Sequence, residues 1–290
     1  MMDLLKMHGF KLSKSMGQNF LIDANIPEKI VRLAGIDNTC GVLEVGPGLG
    51  ALTSVLGRVA RHVTSVELDE RLMPILRDTF SGQSNVDFVC GNILKLDIAK
   101  LVNDKMPNMS HHVCANLPYY ITSPVLSAFI DSGVFATITV MIQKEVARRI
   151  CAQAGTSDYS AFSIYVQYYA EPKILFDVPP ECFVPQPGVF SSVITMRTRT
   201  DRMLEASDEK VFFRLVRAAF GQRRKTLVNT LHAMGGGLVE KAAIVEIVQK
   251  SGFDERVRGE MLSLNDFARL TIAWKRQKAG VEVDKSWKML

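Results

Sequence analysis

Apolar positions between residues 42 and 142 fall into short runs separated by stretches of helical spacing. Val42–Val45, His62–Glu67, Val86–Cys90, His112–Asn116 and Thr137–Ile142 read as strands. Leu49–Val59, Glu70–Phe80, Asp97–Asn103 and Ser123–Asp131 read as the helices between them. That alternation predicts an α/β fold with a parallel, doubly wound sheet. A helix is also predicted over Asn25–Gly35, ahead of the first strand. Beyond Gln143 the pattern turns helical to about Ala152 and again over Ser160–Ala170. Extended segments follow at Lys173–Val178 and Phe190–Arg197, with the Pro-rich stretch Pro179–Gly188 between them. The remainder predicts helices over Asp208–Phe220, Gln222–Met234, Val239–Ser251 and Leu264–Gln277, with Gly235–Gly237 as a break. The pattern divides the chain into a body, residues 1–200, and a helical module, residues 201–290. The last dozen residues show no firm pattern.

Charge sharpens this division. Residues 1–196 hold 16 Lys+Arg against 18 Asp+Glu, and residues 197–290 hold 19 against 12. A near-neutral body followed by a basic module fits a catalytic domain joined to a module with a basic face for a polyanion; a solvated basic helix surface is the alternative. Length and composition, 290 residues with 47% hydrophobic and 22% charged, exclude a disordered or fibrous chain. No apolar run approaches the roughly 18 residues of a membrane span. The N-terminal residues lack the apolar core of a signal peptide. Five scattered cysteines without a C-x-x-C pair suggest neither a disulfide framework nor a zinc site, so a reducing cytoplasm is expected.

Val42–Thr53 is a buried strand entering a glycine turn and then a helix. Gly46 and Gly48 allow backbone torsions and a close ligand approach that a Cβ would block. Glu67 ends the next strand, 21 residues after Gly46, where a carboxylate can accept hydrogen bonds from both hydroxyls of a ribose. Together these features point to an adenosine-containing cofactor. Gly46, Gly48 and Ala51 also satisfy the loose dinucleotide fingerprint. Pro47, however, removes an N–H that would cradle a pyrophosphate, and Glu44 stands just before the loop. S-adenosylmethionine has no phosphate and loses nothing there.

A second motif, Asn116-Leu-Pro-Tyr119, follows the fourth strand, where an open α/β sheet places its ligands. The exocyclic amine of adenine is a poor nucleophile because its lone pair is delocalised into the ring. The Asn116 side-chain oxygen and the Leu117 carbonyl could each accept one of its N–H groups and aim the nitrogen at a methyl donor. Pro118 stiffens the turn, and Tyr119 offers a face for stacking the base.

With these residues the chain resembles the bacterial small-subunit (16S) ribosomal RNA adenine N6,N6-dimethyltransferases. The matching stretches are Lys14–Leu21, Glu44–Thr53, Val66–Asp69, Asn116–Tyr120, Phe183–Pro187 and Ala219–Leu227, in the family's order. The resemblance implies a class I S-adenosylmethionine-dependent methyltransferase sheet, Rossmann-like, followed by a small C-terminal helical domain. It implies that Asn19, Leu21, Gly46, Glu67 and Asn116 line the cofactor site. Asn92 stands where the family usually has Asp, and its neutral amide oxygen is a weaker acceptor for the cofactor's adenine amine. A Phe amid prolines is more often a loop anchor packed on the body; the resemblance instead implies that Phe183 faces Tyr119 and sandwiches a target base, a contact of roughly 1–3 kcal/mol. Gly188 and Phe190 depart from the Lys and Asp that the family commonly carries.

The implied substrate is 16S rRNA in an immature small ribosomal subunit, dimethylated at two adjacent adenosines of a hairpin loop near its 3′ end. A role in subunit assembly accompanies the reaction. No metal, membrane or partner subunit is expected, and the chain is expected to act as a monomer. Arg223, Arg224 and Lys225 are expected to open a helix as a splayed basic end that grips phosphate, because cations at a helix start oppose its dipole. Arg148 and Arg149 form a second basic cluster. His111 and His112 are expected to be packing or surface residues rather than a general base. Three other readings stay open: a large-subunit (23S) rRNA adenine methyltransferase, an assembly factor acting by binding, and a nicotinamide-dependent oxidoreductase.

Overall fold

The computed structural model describes residues 19–201, 203–236 and 239–279. Residues 14–18 of the first motif, Gly237 of the glycine break and the stretch after Ala279 lie outside the described residues.

Two compact units divide the chain. One holds the described residues up to Arg148 together with Ala170–Thr198; the other holds Arg149–Tyr169 and the described residues from Arg199 onward. Sequence reading assigned residues 149–169 to the body. Their Tyr159, Ile164 and Tyr168 instead share a core with Phe212, Leu215 and Phe267, and that burial decides their membership.

The first unit begins with β1 (Phe20–Leu21) and α1 (Asn25–Ala34), which ends at Gly35 in the left-handed region. Next come β2 (Cys40–Val45), α2 (Ala51–Val59), β3 (His62–Glu67), α3 (Met73–Thr79), β4 (Val86–Cys90) and α4 (Ile98–Lys105). The series continues through β5 (Ser110–Asn116), α5 (Thr122–Ser132), β6 (Thr137–Gln143) and α6 (Lys144–Cys151), which runs across the division. After α7 (Ala161–Tyr169) of the second unit, the first unit resumes with β7 (Ala170–Val178), β8 (Phe183–Val184) and β9 (Ser191–Thr198).

Seven strands form one sheet in the order β4-β3-β2-β5-β6-β9-β7. The strands from β4 to β6 in that order are parallel, and β2 is buried along its whole length, as expected for a strand covered on both faces. These are the five strands that sequence reading made parallel, and the two later extended segments join the same sheet. β9 runs antiparallel to both β6 and β7. The Pro-rich stretch between β7 and β9 contains no crossover helix, so the chain turns back instead of passing over the sheet. A separate two-stranded ladder pairs β1 with β8, Leu21 opposite Phe183.

Strand order reverses at β2. The chain proceeds from β2 outward to β3 and β4, then returns to place β5 on the other side of β2. Beyond the carboxyl ends of β2 and β5, the two connections diverge and leave a cleft.

The second unit adds α8 (Ala206–Gly221), α9 (Leu227–Met234), α10 (Lys241–Lys250) and α11 (Leu264–Ala279). Its core is aromatic; the rings of Tyr168 and Phe212 lie 4.9 Å apart. Among the described residues no helix is long and apolar enough to cross a membrane.

Candidate functional site

The loop after β2 closes tightly. The Gly46 N–H donates to the Val66 carbonyl (3.0 Å) and the Gly50 N–H to the Pro47 carbonyl (2.9 Å). Gly46 and Gly48 have φ of 70° and 60°, the left-handed region that side chains rarely adopt. A Cβ on Gly48 would also sit 3.1 Å from the Phe20 ring.

Glu67, at the end of β3, is buried at the foot of this loop. Its carboxylate accepts from the Asp69 N–H (2.8 Å) and, more weakly, from the Gly48 N–H (3.4 Å). Burial pushes its pKa up, and the backbone donors oppose that shift.

Glu44 points into the protein. Its carboxyl is fully buried and accepts from Thr53 Oγ1 (2.7 Å) and Ser65 Oγ (2.5 Å). Burial pushes its pKa up to about 7; the hydroxyl donors resist, and the nearby Glu67 adds to the rise. Raised from the ordinary carboxyl value of 4.5, this group stays protonated in the folded chain while it ionises in the unfolded one. Its contribution to stability is therefore fully present below pH 4.5 and lost as pH rises through 7. Glu44→Gln removes this dependence. Urea unfolding should show the variant gaining on the parent by roughly 2 kcal/mol across that window, at about 1.4 kcal/mol per pKa unit less relaxation around the charge. A constant difference at every pH would mean that Glu44 titrates in the folded chain as it does in the unfolded one.

Asn116 closes β5, one residue before a turn fixed by Pro118. Its Nδ2 donates to the Asn19 carbonyl at 3.4 Å. That contact turns the amide so that Oδ1 is left as an acceptor, and no described group donates to it. Leu117 is buried, and its N–H donates to the Met141 carbonyl (3.1 Å). Tyr119 is half-buried, with its hydroxyl 2.7 Å from Ser191 Oγ at the start of β9. Burial raises the phenol's pKa. Asn92 caps a short turn by accepting the Leu94 N–H (3.0 Å), so one lone pair of its amide oxygen is already engaged.

Asn19, Leu21, Gly46, Gly48, Glu67, Asn92, Asn116, Leu117, Pro118 and Tyr119 all line one cleft at the strand-order reversal. Sequence reading missed Leu68, Ile93 and Tyr120, which line it too. Leu68 and Ile93 directly follow Glu67 and Asn92, so adjacency to those residues was the available signal.

Phe183 requires a correction. It is 2% exposed, sits in β8 opposite Leu21 and belongs to the core of the first unit, so it presents no face to a base. Its aromatic ring serves as an anchor for the Pro-rich stretch. The basic triplet also differs from expectation. Arg223, Arg224 and Lys225 lie in the turn after α8, because Thr226 caps α9 by accepting the Asn229 N–H. The dipole argument therefore does not apply to them. Arg223 is engaged within its own unit, with Glu260 at 3.1 Å and the Ser157 carbonyl at 3.0 Å. Arg224 and Lys225 are exposed and form no ion pair among the described residues.

A cleft with a glycine loop, a carboxylate at a strand end and an amide oxygen left as an acceptor suits an adenosine-bearing cofactor and an amine. Comparison with known proteins bears on which. The family model described as "Ribosomal RNA adenine dimethylase" matches residues 9–269. The ribosomal RNA small subunit methyltransferase A of Clostridioides difficile is 45% identical over 270 residues, 93% of either chain. Its Streptococcus pneumoniae (strain JJA) counterpart is 47% identical over 277 residues, 94% of this chain and 96% of its own. Among solved structures, a dimethyladenosine transferase from Plasmodium falciparum superposes with a TM-score of 0.75 at 25% identity, over 89% of this chain and 98% of its own. The 23S rRNA methyltransferase ErmE gives 0.70 at 25%, over 89% and 100%. With a family match across most of its length and such relatives at 44–47% identity, the chain belongs to the ribosomal RNA adenine dimethylase family.

Proposed function

We propose that this protein transfers two methyl groups to N6 of each of two adjacent adenosines in a hairpin loop near the 3′ end of small-subunit ribosomal RNA. S-adenosylmethionine is the donor, and an immature small subunit in the cytoplasm is the substrate, met by a monomeric enzyme that also takes part in subunit assembly. The observation that carries this reading is Asn116: its Nδ2 is tied to Asn19 while its Oδ1 is left as an acceptor in the cleft that also holds the glycine loop and Glu67. The small-subunit substrate is favoured over the large because the relatives at 44–47% identity carry the small-subunit name, whereas ErmE stands at 25%.

The cleft fits the cofactor. A Cβ on Gly46 would project to within 3.9 Å of both the Asn116 carbonyl oxygen and Pro118, into the space the loop keeps open. Glu67 would accept from the ribose hydroxyls, while Asn19, Leu21, Gly48 and Asn92 would complete the enclosure. When bound, S-adenosylmethionine supplies an electrophilic methyl group on a sulfonium centre. Asn116 Oδ1 and the Leu117 carbonyl accept the two amine N–H groups of adenine, which draws the nitrogen lone pair out of ring conjugation. Tyr119 packs against the base, its ring held by the Ser191 hydrogen bond. Positioning and polarisation suffice, so no general base is assigned.

Labelled S-adenosylmethionine and undermethylated small subunits test this reading. N6,N6-dimethyladenosine should appear in the product nucleosides. Transfer to large-subunit RNA alone would overturn it.

The second unit is proposed to hold the RNA through Arg224 and Lys225. Neutralising both to Gln should flatten the dependence of log affinity on log salt by about 1.4, at about 0.7 per phosphate of single-stranded RNA. Cofactor affinity should not change. An unaltered salt slope would remove these two residues from the RNA contact. Arg223 is the wrong probe, because its loss also strands Glu260 and the Ser157 carbonyl.

A further inference from the structure

With Phe183 buried, the aromatic surface beside the cleft comes from elsewhere. Tyr120 is 59% exposed, Phe190 49% and Val189 46%. Isolated apolar residues on a surface need no explanation, but each of these lies within two residues of a partner in one contact. The Tyr119 hydroxyl and Ser191 Oγ lie 2.7 Å apart. Tyr120 directly follows one partner of that contact, and Phe190 directly precedes the other. Tyr120 also lines the cleft.

Phe190 is held in place. Its carbonyl accepts the Lys144 N–H at 3.0 Å. The Lys144 ammonium lies 5.5 Å from the ring centroid and is paired with Asp177 at 2.5 Å. Asp177 in turn accepts from Ser192 Oγ (2.6 Å), so the residues after Phe190 are tied to the same cluster. An exposed ring fixed by its own backbone and by a neighbouring cation has lost little freedom when it receives a flat ligand.

Building on the RNA-adenosine reading above, we propose that Phe190, with Tyr120, is the stacking platform for an unpaired base next to the target adenosine. Every base has a π-face, so such a contact holds the strand without reading its sequence. The platform grips the flanking strand as the target enters the cleft. Phe190 is thus a positioning residue that acts on substrate capture and not on the methyl-transfer step.

The test is steady-state methylation of undermethylated small subunits by the full chain and its Phe190→Ala, Phe190→Trp and Phe190→Leu variants, with S-adenosylmethionine affinity measured alongside. For Phe190→Ala, KM for the subunits should rise about tenfold with kcat changed less than twofold and cofactor affinity unchanged. Trp should restore KM, and Leu should not. Placing 2-aminopurine next to the target adenosine should show fluorescence quenching with the parent and Trp chains that Ala and Leu lose. An unchanged KM in Phe190→Ala would overturn the proposal. Rescue by Leu as complete as by Trp would overturn it too, by assigning the ring to apolar packing against a ribosomal protein. Failure of the parent chain itself to methylate any subunit would instead remove the underlying functional reading, and the platform with it.

Discussion

Replacing Asn116 with alanine should lower methyl transfer by a factor of about 10²–10³, the usual cost of deleting one preorganised polar group aimed at the reacting centre. Cofactor affinity should change only a few-fold, because the glycine loop and Glu67 remain. The effect is large because the amide is prepared before substrate arrives. Its Nδ2 is engaged by the Asn19 carbonyl, so Oδ1 need not reorient. Asn116→Asp is the more informative companion. Its ionised carboxylate would accept from the amine but would face the Asn19 carbonyl without a proton to donate. Single-turnover rates with both variants, set against cofactor titrations, separate polarisation from binding. Equal losses in rate and in cofactor affinity would move Asn116 from the amine to the cofactor.

Phe183→Ala should destabilise the first unit by about 3–5 kcal/mol, the cost of removing a large side chain from a packed core. The ring is 2% exposed and packs in a core that includes Leu21, Val178 and Val193. Phe183→Leu decides between anchor and base-stacking roles. Leucine keeps most of the buried apolar volume but has no π-face. Denaturant unfolding should show a modest loss for Leu, and its methylation rate with small subunits should stay within a few-fold of the parent. A well-folded Leu variant that cannot methylate would restore Phe183 to the base.

What the sequence could reveal followed physical period and local chemistry. His62–Glu67 and Val86–Cys90 were placed with the bounds the structure gives, because short runs of β-branched and aromatic residues between turn signals read as strands. Gly46, Glu67 and Asn116 were also visible, since each lies at or just after a strand end and an α/β sheet gathers those ends at one edge; Asn19 and Leu21 came only from the family resemblance. Direction and partnership were not visible. Nothing local in Ser191–Thr198 says that it runs antiparallel between β6 and β7. The prolines around Phe183 suggested a packed anchor and the resemblance overrode them; only the pairing with Leu21 shows that it turns inward. Residues 149–169 have the spacing of any amphipathic helix, and only the partners of Tyr159 and Tyr168 reveal which core they enter. The helix expected from Gln222 failed for a smaller reason. Basic residues continued the pattern, but Thr226 supplied a cap four residues later.

The short ladder between β1 and β8 imposes an order on synthesis. Asn19 and Leu21 form part of the cleft wall, and Leu21 is held by Phe183, 162 positions further along the chain. A nascent polypeptide carrying the glycine loop, Glu67 and Asn116 has every polar group of the site and still lacks the strand that fastens that wall. Ribosomes must therefore extend the chain past Val184, and the tunnel must release it, before the methyl-donor cleft can close.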